Sequence, residues 1–143
     1  MSVTVRRAAA ADAVRIAELS GALGYPVGPD AMSERLAHVL MRDDNAVFVA
    51  VDGTGVVGWI HGAEHELLEV GRLCEILGLV VDGSSRRSGA GRALVAAVEQ
   101  WTASRGLPQV SVRSNVVRVE SHLFYERVGY DRVKTQHAYR KRL

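Results

Sequence analysis

The sequence predicts an α/β fold of the α+β kind, with a mixed, mostly antiparallel central sheet flanked by about four helices. The first observation is the order of the patterns along the chain, β-α-α-β-β-β-α-β-α-β. The second is that three strand patterns follow one another through short connections, which favours antiparallel pairing. The third is that no repeat, linker or low-complexity segment divides the chain, so we expect one domain over residues 1–143.

The first half of the chain predicts a strand, two helices and a hairpin. Residues 2–7 alternate as a short strand, and Asp12 is expected to cap a helix whose apolar stripe runs to Leu23. A second helical stripe starts near Asp30 or Ser33. The elements predicted next are strands at 46–51 and 56–64, joined by a turn at 52–55, and then a connection at 66–72.

The second half predicts a long strand, the strongest helical stripe of the chain and a closing strand. Gly78 lies inside the apolar run 73–81, and this predicts either a bulge or the close approach of another backbone there. The helical stripe begins at Ala90 and is expected to stop at Gly106 and Pro108. The remaining predicted elements are a strand at 109–112, a helix at about 120–128 capped by Gly129, and a closing strand from 130 to about 141.

Composition excludes several classes of protein. The chain is 48% apolar and 24% charged, which is ordinary for a globular domain. Its longest apolar runs fall far short of the roughly 20 residues that span a bilayer, and charged residues near the N-terminus occupy the place of a signal core. We therefore expect a cytoplasmic protein without a membrane partner. Cys74 is the single cysteine, which excludes an internal disulfide.

Charge is unevenly distributed along the chain. Residues 1–83 carry 6 Lys/Arg and 12 Asp/Glu, whereas residues 84–143 carry 12 and 4. A polyanionic ligand on the basic part and a cationic ligand on the acidic part fit this split, and a chance scatter of surface charge fits it as well. The basic residues are dispersed and aromatic residues are few, so we expect no nucleic-acid partner.

The most informative segment is the strand–turn–helix sequence from Leu79 to Leu94. Gly89 and Gly91 allow backbone N–H groups to approach an anion closely, and the N-terminus of the following helix adds partial positive charge. A dinucleotide-binding fingerprint fails because Leu94 stands where its third glycine belongs, and a P-loop fails because no lysine lies nearby. The motif that remains is Arg86-x-x-Gly89-x-Gly91.

This motif closely resembles the acetyl-CoA motif of the GCN5-related N-acetyltransferase (GNAT) superfamily, Gln/Arg-x-x-Gly-x-Gly/Ala. The segment from Ser121 to Tyr130 resembles the second signature of that family, Ala-x-x-Leu/Phe-Tyr-Glu-x-x-Gly-Phe/Tyr. The order of elements also matches, and the resemblance covers nearly the full length. One departure is Arg118, which stands where many members carry asparagine, although Asn115 lies close enough to substitute.

The resemblance implies the GNAT-type acyl-CoA N-acyltransferase fold, with acetyl-CoA (coenzyme A) as the acyl-donor cosubstrate. The backbone of strand residues 79–81 is expected to pair with the pantetheine amides, while the turn and the helix N-terminus hold the pyrophosphate. Tyr125 is expected to protonate the departing thiolate. The expected cofactor-binding residues are Leu79, Val80, Val81, Arg86, Arg87, Ser88, Gly89, Ala90, Gly91, Arg92, Asn115 and Ser121.

The general base is left open among several carboxylates. Glu75 is our choice, because several family members place a carboxylate on the strand before this turn, and Glu64 and Glu66 are alternatives. His61 and His65 stand on one face of a strand at a separation of roughly 13 Å, which is too far for them to share a metal ion. We therefore expect no metal.

The function implied by the resemblance is direct transfer of the acetyl group of acetyl-CoA to a primary amine. The short chain favours a small-molecule amine, and aminoglycosides, polyamines, amino acids and protein N-termini all stay open as acceptors. A catalytically inactive acyl-CoA-binding sensor or subunit is the alternative. Small proteins of this family often pair, so a homodimer with a contact through the C-terminal strand is also expected.

Overall fold

A five-stranded sheet is the centre of the first of two structural units. The computed structural model describes residues 2–86, 88–114 and 118–143, and its units are Met1–Val112 and Arg113–Leu143. One domain over residues 1–143 stays a prediction. The first unit contains β1 (Thr4–Arg7), α1 (Ala13–Ala22), α2 (Pro29–Leu40), β2 (Asn45–Asp52), β3 (Gly55–Leu67), β4 (Gly71–Val81), α3 (Ala90–Ser104) and β5 (Val110–Val112), and the second contains α4 (Val119–Arg127).

The sheet confirms the prediction of mixed, mostly antiparallel pairing. Its strand order is β1-β2-β3-β4-β5. The first four strands pair antiparallel with their neighbours, and β5 pairs parallel with β4. The parallel pair arises because α3 returns the chain from the end of β4 to the start of β5, as a crossover connection requires.

Glycines on β3 let α3 pack closely against one face of the sheet. A Cβ atom at Gly58 would lie 3.2 Å from Leu94 Cδ1, and one at Gly62 would lie 3.1 Å from Val98 Cγ1. Leu94 and Val98 are fully buried on α3, and burial of such a side chain stabilises the fold by about 1.5–3 kcal/mol. The chain leaves the helix through Gly106 at φ 72°, as the sequence predicts.

The opposite face of the sheet is covered by α1 and α2. Val47 and Val49 of β2 pack there with Leu36 of α2, and Trp59 of β3 packs against the same cluster. His61 lies opposite Val47 across the two strands and therefore shares this face. This face of the sheet is therefore apolar where the helices cover it and carries polar side chains such as His61 at one end.

The first helix starts differently from the sequence prediction. Asp12 was expected to cap α1 with its carboxylate, but that carboxylate makes no cap bond to the helix. Its oxygens accept the N–H of Ala9 at 2.8 Å and two guanidinium N–H groups of Arg6 at 2.8 and 2.9 Å. The Arg6 guanidinium holds the pKa of Asp12 below its usual value. The side chain therefore fixes the chain between β1 and α1.

The connection predicted at 66–72 is mostly strand. In the structure β3 continues to Leu67 and β4 begins at Gly71, so only three residues form the turn. Glu66 pairs with Arg72 in the register, and the Nε of Arg72 donates to Glu64 at 2.9 Å. Cross-strand pairs of opposite charge stabilise a hairpin even where the apolar alternation has ended.

The closing strand predicted from 130 to about 141 is absent. Residues 130–143 form no strand, and nearly all of them are exposed. The segment has few apolar residues and is rich in Lys and Arg, and no described strand pairs with it. A segment becomes a strand only when a partner supplies the ladder of hydrogen bonds. The helix before it is confirmed as α4, and Gly129 follows that helix at φ 97°.

None of the helices within the described ranges is long and apolar enough to cross a membrane.

Candidate active site

A β-bulge interrupts β4 where the sequence predicts one. The register pairs His61 with Gly78 and Gly62 with Ile76, so Leu77 is an extra residue on β4. The Gly78 Cα is covered by the indole of Trp59, because a Cβ there would lie 2.6 Å from Cη2 and 2.8 Å from Cζ3 of the ring. Only glycine admits the indole at this distance, so Trp59 and Gly78 hold the bulge together.

Beyond the bulge, β4 has a free edge. β5 pairs with β4 over Cys74–Ile76, and in the part of the chain that the structure describes no strand pairs with residues 79–81 on that side. Backbone N–H and C=O groups need hydrogen-bond partners, so this edge suits an extended ligand that carries amides. The pantetheine arm of coenzyme A has two amides. The expected role of Leu79, Val80 and Val81 therefore fits the geometry.

A network of hydrogen bonds fixes the turn that follows β4. The N–H of Asp82 donates to Val57 O at 2.8 Å, and the Asp82 carboxylate accepts the N–H of Ser84 at 3.1 Å. Arg15 of α1 reaches the same carboxylate at 3.0 Å and donates its Nε to Val56 O at 2.9 Å. These contacts tie the turn to α1 and β3. The Asp-Gly-Ser sequence could have indicated the side-chain turn at Asp82, whereas no local signal identifies Arg15.

The start of α3 has the geometry of an anion site. Gly89 stands before the helix at φ 89°, a conformation that favours glycine, and its carbonyl accepts the N–H of Ala93 at 2.9 Å. The N–H groups of the first helical residues have no carbonyl partner within the helix, so they point towards the turn that precedes it. The Ser88 hydroxyl donates to Ser85 O and accepts the N–H of Ala90 at 3.3 Å, which orders the approach to the helix.

The residues around this turn fit a pyrophosphate. The N-terminus of the 15-residue helix α3 supplies N–H donors and partial positive charge, and nothing lies within 4 Å of where a Gly89 Cβ would be. The side chains of Arg86 and Arg92 are exposed beside it, as is Ser88. Arg87 lies outside the described residues. The structure thus joins the free edge of β4 and the start of α3 through one short turn.

Polar side chains lie on the sheet face opposite α3, near the bulge. Gly62 faces Val98 of α3, so the alternating positions His61 and His65 face the other way. His61 Nε2 lies 2.7 Å from Asn45 Oδ1, and burial lowers the pKa of His61. His65 Nε2 lies 3.2 Å from Glu75 Oε1. Sequence reasoning missed the second contact, because it depends on the register of the β3–β4 hairpin.

The carboxylates proposed as general base differ in their surroundings. Glu64 is held by two arginines, at 2.9 Å from Arg72 Nε and 3.0 Å from Arg105 Nε, and these hold its pKa below the usual value. Glu66 is exposed at the end of β3. Glu75 is largely buried and lies two residues before the bulge. Its position favours Glu75 over Glu64 as a proton acceptor.

The second unit contains the other expected residues. Tyr125 on α4 is half-buried, and burial raises its pKa to about 12. Its ring packs edge-on against Phe124 at 5.2 Å and Tyr130 at 5.9 Å between centroids. The Ser121 N–H donates to Arg118 O at 3.1 Å in the first turn of α4. Asn115 lies outside the described residues.

Two further observations limit the chemistry. Across the described ranges, no three His, Cys, Asp or Glu side chains are grouped in a way that could hold a metal ion. Cys74 is buried on β4, and burial raises the pKa of its thiol, which disfavours a reactive thiolate.

Comparison with known proteins identifies the class. The model of the acetyltransferase (GNAT) family matches residues 13–130. The chain therefore belongs to the GNAT family and is an N-acetyltransferase that takes its acetyl group from acetyl-CoA and passes it to a small-molecule amine.

Three similar proteins are named for the acetylation of aminoglycosides. The chain is 33% identical over 138 residues to aminoglycoside N(6′)-acetyltransferase type 1 of Stenotrophomonas maltophilia, covering 90% of this chain and 86% of that protein. The fold is shared with the aminoglycoside 6′-N-acetyltransferase AAC(6′)-Ih of Acinetobacter baumannii (TM-score 0.86, 14% identity, 99% of both chains). It is shared also with AAC(6′)-Iy bound to a bisubstrate analogue of CoA and acetylneamine (TM-score 0.88, 20% identity, 100% of both chains).

The bulge predicts a paired effect of two substitutions. Gly78→Ala places a methyl group against the indole of Trp59, so we expect a loss of about 1–3 kcal/mol in the free energy of unfolding and weaker acetyl-CoA binding. Trp59→Phe removes the clashing ring atoms, and no described residue accepts the indole N–H, so it breaks no hydrogen bond. The double variant should regain part of both losses.

Denaturant unfolding and calorimetric titration with acetyl-CoA measure these changes. Gly21→Ala on α1 is the matched control, because nothing lies within 4 Å of its added Cβ. Wild-type stability and affinity in Gly78→Ala would contradict the role given to the Trp59–Gly78 contact.

Proposed function

We propose that the chain transfers the acetyl group of acetyl-CoA directly to a primary amine of an aminoglycoside. The observation that carries the transfer is the free edge of β4, at residues 79–81, followed at once by the N-terminus of α3. The acceptor class is supported by the 33% identity to an aminoglycoside N(6′)-acetyltransferase. Acetyl-CoA supplies an activated thioester, and the residues of this chain bind it, position the amine and move two protons.

The acyl donor is held in two ways. The backbone of Leu79, Val80 and Val81 pairs with the amides of the pantetheine arm, and an N–H of the same segment polarises the thioester oxygen. The start of α3 and the arginines around it bind the phosphates. The residues proposed to hold the phosphate end are Arg86, Arg87, Ser88, Gly89, Ala90, Gly91 and Arg92, and Asn115 and Ser121 are proposed to complete the donor site.

Two side chains move protons in this proposal. Glu75 takes a proton from the ammonium group of the acceptor, which has an ordinary pKa near ~10 and cannot attack while charged. Tyr125 donates a proton to the sulfur as the C–S bond breaks, and the second proton that the amine nitrogen loses after its attack returns to the phenolate. Because its pKa is raised to about 12, the phenol remains protonated at neutral pH. Buried Cys74 supports direct transfer, since it offers no accessible thiolate for an acetyl-enzyme intermediate.

The charges of residues 1–83 suit a polycationic acceptor. Residues 1–83 carry twice as many Asp/Glu as Lys/Arg. Glu66 and Glu69 are exposed on the β3–β4 hairpin. Glu75 lies further along the same hairpin, four residues after the start of β4. An aminoglycoside carries several ammonium groups, so acidic side chains in this region attract it and reject acidic amines.

We also propose that two copies of the chain associate in the cytoplasm, where acetyl-CoA is available. Leu67, Leu68 and Val70 form a group of exposed apolar side chains at the tip of the β3–β4 hairpin, and the segment 130–143 is largely exposed and pairs with no described strand. Association of these surfaces would remove apolar area from water.

Sedimentation equilibrium measures the association. The expected mass is about twice the 15.5 kDa of one chain. Leu68→Glu should shift the protein towards the monomer, because it places a charge in an apolar contact. A monomer of unchanged fold at working enzyme concentration would contradict the dimer and leave the acetyl transfer standing.

Release of free thiol from acetyl-CoA tests the proposed function. Purified protein is assayed with an aminoglycoside that has a 6′-amino group, with the same scaffold carrying a 6′-hydroxyl, and with a polyamine and an amino acid. We expect release that depends on the amine and is fastest with the 6′-amino compound. Tight acetyl-CoA binding without release for any amine would support the inactive acyl-CoA-binding module instead.

Replacement of Tyr125 by Phe removes the proposed proton donor and keeps the ring contacts. We expect kcat to fall about 100-fold, with the Kd for acetyl-CoA nearly unchanged in calorimetry. Tyr139→Phe is the control, because Tyr139 is exposed in the C-terminal segment. A Tyr125→Phe enzyme with wild-type kcat would remove this role from Tyr125.

A further inference from the structure

The register of the β3–β4 hairpin brings His65 and Glu75 together on the sheet face opposite α3. Glu75 lies opposite Ala63, and His65 lies opposite Leu73. His65 and Glu75 are therefore diagonal neighbours on the same face, within reach of each other for long side chains. The side chain of Ala63, between them, is small and leaves room for both. His65 Nε2 lies 3.2 Å from Glu75 Oε1.

The two partners differ in their access to water. The Glu75 side chain is 15% exposed, whereas that of His65 is 38% exposed. A carboxylate that is mostly removed from water is held in a fixed orientation by the hydrogen-bond donors beside it. An imidazole with its proton on Nε2 is such a donor, and its open side faces solvent.

Glu75 also lies close to the place where the amine must attack. It precedes the bulge residue Leu77 by two positions, which is about 7 Å along an extended strand. Leu77 begins the part of β4 that β5 no longer covers. A carboxylate at this distance reaches an amine over the bulge directly or through one water molecule.

We propose that His65 is a positioning residue for the reaction: its Nε2–H holds the Glu75 carboxylate in the orientation in which it accepts the proton of the incoming amine. This inference rests on the proposed function, because it assigns Glu75 the role of general base. The neighbouring His61 does not share the role, since its Nε2 is engaged with Asn45 at 2.7 Å.

Kinetics of single and double variants test whether His65 acts through Glu75. His65→Leu should lower kcat about 10-fold or more, while the KM values for acetyl-CoA and the aminoglycoside stay the same. Glu75→Gln should lower kcat about 100-fold. In the Glu75→Gln background, His65→Leu should cost nothing further, because the group that it positions is already gone.

Conservative replacement separates positioning from mere support of the fold. The side-chain amide of His65→Gln can donate to Glu75, so this variant should regain most of the turnover that His65→Leu loses. His38→Leu, at an exposed position of α2, is the control and should match the wild type. Equal losses in His65→Leu and His65→Gln, an unaffected His65→Leu enzyme, or an equal loss by His65→Leu in the Glu75→Gln background would each overturn the inference.

A measurement on the unmodified enzyme keeps the test independent of variant folding. Long-range ¹H–¹⁵N NMR of the His65 ring should show a proton on Nε2, with or without acetyl-CoA. A ring whose Nε2 is unprotonated would overturn the inference even if every variant were unfolded. Failure of the wild type to release thiol with any amine would overturn the proposed function and this inference together, whereas normal wild-type release with an insensitive His65 overturns the inference alone.

Discussion

The change of hydrogen-bonding partner along β4 is the constraint on which the candidate site depends. Over Cys74–Ile76 the strand is paired on both sides, and from Leu77 onward β3 is its only partner among the described strands. Backbone N–H and C=O groups on an open sheet edge lack hydrogen-bond partners from a neighbouring strand, and most proteins cover or interrupt such edges. Here the bulge at Leu77 is held by the indole of Trp59 on Gly78. In the proposed function, the open edge beyond it binds one extended amide-bearing ligand, and the amine is placed at the bulge.

The two ends of β4 present opposite charges. The C-terminal end leads through a turn, held by Asp82 and Arg15, into the N-terminus of α3, where backbone N–H groups and arginines favour phosphate. The other end lies in the acidic β3–β4 hairpin, where Glu75 meets His65. A polyanionic donor and a polycationic acceptor can therefore approach one strand from different directions without competing for the same side chains. In the proposed reaction they meet at the bulge.

Much of this arrangement could be predicted from the sequence, because its signals are local. The mixed sheet, the bulge near Gly78 and the helix from Ala90 follow from periodicity and from glycine placement. The turn after β4 and its glycines indicated an anion site for the same reason. The prediction of a closing strand at 130–141 was wrong, because the residues of one segment do not show whether a second strand pairs with it.

Contacts between distant residues could not be predicted in this way. Arg15 and Asp82 are separated by 67 positions, and His65 finds Glu75 only because the hairpin turn at 68–70 fixes a particular register. Asp12 was expected to act as a helix cap by its position, but Arg6 and the N–H of Ala9 compete for the same oxygens. The roles of Tyr125 and Ser121 stay proposals that rest on resemblance.

Amide hydrogen exchange with and without coenzyme A tests the central claim most directly. The account predicts that coenzyme A slows exchange of amides within residues 79–81 and in the first turn of α3, while the paired part of β4 before Ile76 changes little. Binding that protects other segments and leaves residues 79–81 exchanging as in the free protein would contradict it.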